Sequence, residues 1–204
     1  MIAAMILLIF GLVLFLGIHS VRIVADGRRS RFIAARGLNA WKGVYSLISI
    51  AGFVLICIGF GQARQQAVLL WSPPRWTHDV AALLTLLAFV LVTAAYVPGN
   101  GIKARVKDPM ILGVKCWAAG HLLANGTLAD VVLFGSFLAW VVLDFRAARQ
   151  RRRAGAEPEV GSVKRGRSLM AVVVGVLVWM LFAFHLHQWL IGVAPFPGFH
   201  GIGH

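Results

Sequence analysis

Among 204 residues with 59% hydrophobic composition, the seven histidines are the side chains best suited to chemistry. A neutral imidazole offers one ring nitrogen as a ligand for haem iron, zinc or copper and the other as a hydrogen-bond donor. His78, His121, His185 and His187 stand within or beside long apolar runs, where an ionisable group is costly to bury and marks function. Two such imidazoles from different helices could hold a b-type haem. Three of them, His78, His121 and His187, could instead supply a zinc site with one open position. Hydrogen-bonding histidines that only tie helices together are the structural alternative. His185 and His187 are two residues apart, so on a helix they point about 200° from each other and cannot both serve one site.

Those histidines must be positioned by membrane-spanning helices. The apolar residues fall in continuous blocks long enough to cross a bilayer, and they lack the in–out alternation of barrel strands. Twenty basic and seven acidic residues are too few to clothe a soluble core of this size. A soluble enzyme is therefore excluded. The blocks predict an all-α bundle of six transmembrane helices, at Ile2–Val21, Trp41–Gly61, His78–Val97, Pro109–Ala124, Thr127–Phe145 and Leu169–Ile191. The fourth and fifth are read as short helices forming a hairpin closed by Asn125-Gly126. The fourth, at 16 residues, rises only about 24 Å against a hydrocarbon core of about 30 Å. The first block has neither a basic leader nor a small-residue cleavage site, so it reads as a span rather than a cleaved signal.

The formal charge of +13 raises nucleic acid as a partner, but the cations lie between the apolar blocks, as topology signals do. No nucleic-acid partner is expected. With six spans, six cations from Arg22 to Lys42, three from Lys103 to Lys107 and eight from Arg146 to Arg167 share one side. The other side receives Arg64 and Arg75. The positive-inside rule makes the basic side cytoplasmic and both termini periplasmic, in a bacterial inner membrane. His78, His121, His185 and His187 then share the outer half of the bilayer, on three helices, and His19 stands apart at the inner end of the first. The chain reads as one domain over residues 1–204, with a flexible basic linker at 146–168 lying near anionic headgroups.

Neighbours of the histidines refine this reading. Gly113, Cys116, Gly120 and Ala124 make a small-residue stripe on the fourth helix, suited to close approach by another helix or by a flat cofactor. His121 lies off that stripe, in line with Trp117 and Asn125, and Asn125 is a candidate to orient its ring. Asp130, three residues beyond Thr127, is equally a helix cap or a site residue. Cys57 and Cys116 form no CxxC and predict no disulfide framework. There is no phosphate loop, dinucleotide fingerprint, HExxH or CxxCH.

The segment YVPGNGIKARVKDPMILGVKCWAAGHLLANGTLADVVLFGSFLAWVVLD, Tyr96 to Asp144, resembles the core of the NnrU family of bacterial membrane proteins. The resemblance extends to LGIHSVRI near the amino end, PPRWTHDVAALLTLLAFVLV entering the third span and FHLHQWLIGVAPF in the sixth. His19, His78, His121 and His187, with Asn100 and Asn125, align with recurring residues of the family. Asp108, Cys116 and His185 depart from its pattern. The family name reflects genes associated with nitrite and nitric oxide reduction, and its members are similar to plastid zeta-carotene isomerase, which carries b-type haem. The resemblance implies haem b, with His121 as one axial ligand and His187 or His78 as the other. It also implies either an isomerase-like redox role or an electron-transfer role beside a respiratory or nitrogen-oxide reductase complex. A non-catalytic assembly or maturation factor, with no cofactor, is the alternative, and a small transporter a third.

Overall fold

The computed structural model describes residues 2–155 and 163–196, and within them all regular structure is helical apart from one isolated bridge between Leu69 and Thr127. The helices are α1 (Ile2–Val24), α2 (Asp26–Arg36), α3 (Leu38–Gln65), α4 (Arg75–Tyr96), α5 (Gly101–Val106), α6 (Pro109–Ala124), α7 (Leu128–Arg153) and α8 (Arg165–Ile191). In α8 the turn Phe182–Leu186 is π-helical. Five of them, α1, α3, α4, α7 and α8, are long and apolar enough to cross a membrane, and α6 is a shorter apolar helix. Their large apolar side chains point outward along much of their length, Leu47 at 71% exposure and Leu83 at 68% among them. Acyl chains solvate such a surface and water does not.

Two expected boundaries are corrected. The helix after Asn125-Gly126 is not short: α7 runs 26 residues, eight beyond Phe145 and into the basic segment. Arg, Ala and Gln are good helix formers, so the helix outlasts its apolar stretch. At the other end of the segment α8 begins at Arg165, four residues before Leu169. Residues 156–162, the middle of the expected linker, lie outside the described residues. The short helices α2 and α5 carry no spanning signal of their own and were not anticipated.

The chain divides into two compact units. Unit 1 comprises residues 1–72 and 126–147, and so contains α1, α2, α3 and most of α7. Here α1 and α3 run antiparallel and in backbone contact. A Cβ on Gly11 would stand 2.7 Å from the Ile56 nitrogen, one on Gly52 2.7 Å from the Phe15 nitrogen, and one on Gly59 would collide with the Leu8 nitrogen. Only glycine permits that approach. α7 joins through aromatic rings, with Phe134 against Phe60 and Phe137 against Phe15.

Unit 2 comprises residues 73–125 and 148–204 and holds α4, α5, α6 and α8. Between α4 and α5, Asn100 is fully buried: its amide donates to the Ala94 and Val97 carbonyls, and its Oδ1 accepts from the Lys103 N–H. One side chain thus satisfies two carbonyls released at the end of α4 and caps α5.

Candidate functional site

Unit 2 contains all three histidines expected to bind a cofactor. On α6, Gly113 faces Ala88 and Val92 of α4, and Gly120 faces Ala81 and Leu84. The small-residue stripe is therefore filled by α4, and the two helices are antiparallel. On α8, Gly175 lies against Val90, and the Trp179 indole N–H donates to Thr85 Oγ1 at 3.1 Å, so α8 is also antiparallel to α4. This register brings His78 in the first turn of α4, His121 in the last turn of α6, and His185 and His187 in the last turns of α8 to one end of unit 2. The separation along the axis from the Thr85–Trp179 bond to His78 or His187 is about 10 Å.

The three differ in how their rings are held. His121 is half-buried, its Nδ1 lies 2.9 Å from the Trp117 carbonyl oxygen, and its ring packs on the Trp117 indole at 5.3 Å. A carbonyl only accepts, so Nδ1 carries the proton and the lone pair lies on Nε2. That is the arrangement in which a backbone carbonyl orients a metal-binding imidazole and raises its basicity. Asn125 does not orient the ring. Its side-chain amide donates to the His121 carbonyl at 2.8 Å, which also accepts from the Asn125 backbone N–H at 3.0 Å, so Asn125 caps the end of α6.

His187 has the same bond by a different route. Gly192, at φ 77°, turns the chain back so that the Val193 carbonyl reaches His187 Nδ1 at 2.7 Å, and Phe182 stands edge-on to the ring. His185 is exposed and borders a shallow hollow with Phe184, Gln188 and Trp189. His78 is exposed and, among the described residues, makes no hydrogen bond. Among the described residues no three of His, Cys, Asp and Glu gather to hold a metal ion. A haem iron asks for two axial ligands at most, so that absence does not bear on haem.

A fifth imidazole, His19 in unit 1, stands apart in the sequence and is surrounded by three aromatic rings. His19 Nδ1 lies 2.6 Å from the Phe15 carbonyl oxygen, and its ring stacks on Phe15 at 4.3 Å. Tyr45 stands at 5.0 Å and Trp140 edge-on at 6.0 Å. Buried in the same unit, Ser49 Oγ and Trp140 Nε1 have no hydrogen-bond partner among the described residues. The signal was the His19 spacing from Phe15, four residues, as His121 is from Trp117. The Tyr45 and Trp140 contacts depend on helix pairing that sequence spacing does not reveal.

Asp130 has a structural role. Its Oδ2 accepts from the Thr127 N–H and hydroxyl, and Thr127 Oγ1 accepts from the Asp130 N–H, which closes a capping box at the start of α7.

The sequence model of the family described as NnrU protein matches residues 7–195. No curated protein and no solved structure matches the chain significantly.

Proposed function

The chain belongs to the NnrU family, and from that membership and the geometry of His121 we propose that it is a multi-pass membrane protein that binds haem b. The observation that carries the reading is the His121 Nδ1 bond to the Trp117 carbonyl, which leaves the lone pair on Nε2 as an axial ligand requires. His187, whose Nδ1 is likewise bonded to a carbonyl, is the candidate for a second iron-binding nitrogen, ahead of the exposed His78. Bound through imidazole, haem b supplies one-electron exchange. The chain's own part is to fix the tautomer of His121 and to keep its ring against the Trp117 indole.

In this reading α6 is a sixth, short crossing, joined to α7 through Asn125-Gly126. The basic ends face the cytoplasm and both termini face the periplasm of a bacterial inner membrane. The activity is that of a redox isomerase-like protein, or of an electron-transfer accessory to a respiratory or nitrogen-oxide reductase complex.

The test is a reduced-minus-oxidised spectrum of protein purified in mild detergent from a haem-replete host. Sharp b-type bands are expected, lost in His121→Ala with the elution volume unchanged, and the same substitution at His187 and His78 assigns any second ligand. Well-folded protein without iron or porphyrin would replace this reading with that of a non-catalytic assembly factor.

A further inference from the structure

Unit 2 ends, opposite its histidines, in a platform of cations that the haem reading leaves unused. Three helix ends build it. The Lys164 N–H donates to the Gly99 carbonyl at 3.0 Å, the Gly101 N–H to Ser168 Oγ at 2.7 Å, and the Arg167 guanidinium to the Pro98 carbonyl at 3.0 Å. These bonds tie the start of α8 to the loop before α5. The Arg152–Asp108 ion pair ties the end of α7 to the start of α6.

Ten lysines and arginines of unit 2 fall on these segments, and Asp108 is the one carboxylate there among the described residues; Glu157 and Glu159 lie outside them. Arg105, Lys107, Arg153, Lys164 and Arg165 are exposed and, among the described residues, make no ion pair. Lys107 also holds φ 67°, a conformation that glycine would adopt without strain.

What lies beside the platform decides the ligand. Leu169 is 65% exposed and Met170 47%, so lipid-facing surface begins within two residues of Arg167. A ligand matching both must carry an anionic phosphate at the level of the cations and hydrocarbon alongside α8. We propose that this end of unit 2 is a binding surface for anionic phospholipid headgroups. The inference rests on α8 crossing the membrane and not on haem.

The experiment reconstitutes the full-length protein in nanodiscs of phosphatidylcholine, alone or mixed with phosphatidylglycerol. Retained lipid is counted by native mass spectrometry after transfer to detergent. Wild type is expected to keep phosphatidylglycerol severalfold over phosphatidylcholine and to lose the preference as salt rises. Arg105→Gln/Lys107→Gln/Lys164→Gln/Arg165→Gln should lose it too. Arg28→Gln/Arg31→Gln/Arg36→Gln/Lys42→Gln, which removes the same charge from unit 1, should keep it. Equal retention of both lipids by wild type, or equal loss in both variants, would overturn the proposal. So would stabilisation of wild type by inorganic phosphate to the same extent as by phosphatidylglycerol, which would mark a site for soluble anions. The wild-type arms decide the matter even if a variant fails to fold.

Discussion

Unit 1 and unit 2 solve the same packing problem with different means. In unit 1, α1 and α3 meet through Gly11, Gly52 and Gly59, each against backbone of the opposite helix. In unit 2 the α4–α6 contact is close at Gly113, whose Cβ would stand 2.9 Å from Val92 Cγ2 and 3.1 Å from the Ala88 carbonyl oxygen, and looser at Gly120, 3.3–3.4 Å from Leu84 and Ala81. Polar bonds supply what tight contact does not, through Asn100 at the end of α4 and Trp179–Thr85 between α8 and α4. Gly175, whose Cβ would stand 2.7 Å from the Val90 Cα, makes a backbone-tight contact of the unit 1 kind. The difference teaches that in lipid, where apolar contact between helices gains nothing over contact with acyl chains, association rests either on close dispersion contact or on hydrogen bonds.

The comparison is broken most directly at Gly59. Gly59→Ala forces α1 and α3 apart at the Leu8 backbone, and we expect a loss of about 3 kcal/mol, read by equilibrium unfolding in mixed detergent micelles. A well-folded Gly59→Ala protein of unchanged stability would show that the pair can separate freely. Next is Asn100→Ala, which strands two buried carbonyls and the Lys103 N–H for about 2 kcal/mol in the same assay. Trp179→Phe removes the bond to Thr85 alone, and about 0.6 kcal/mol is expected, the usual worth of an interhelical hydrogen bond in a membrane protein. The smallest effect sharpens the contrast: Gly120→Ala should cost less than about 0.5 kcal/mol, since its nearest neighbours need give only a few tenths of an ångström. If Gly120→Ala instead matched Gly59→Ala, the two units would not differ in kind.

Much of this was legible in the residues. Continuous apolar runs gave all six expected helices, and counting along them brought His78, His121, His185 and His187 to a common level. Other features were hidden for physical reasons. The extension of α7 through Arg153 follows from helix propensity, which hydropathy does not weigh. The aromatic surround of His19 arises where α1, α3 and α7 meet, and no spacing within one helix reports it. Asn125 is a candidate for the His121 ring because the two share a face, but its amide donates to the His121 carbonyl instead.

The π-helical turn at Phe182–Leu186 has a mechanical consequence for α8. A wide turn accommodates more residues than a regular one, so it resets the angular phase of everything beyond it. Below it, Gly175 and Trp179 are locked to α4; above it, His187 is aimed by its own tether to Val193. The direction of His187 is therefore set by the π turn and its tether, separately from the register in which α8 grips α4. Deleting one residue within 182–186 would mesh the two segments as a single gear, and turn His187 by about 100° relative to Trp179.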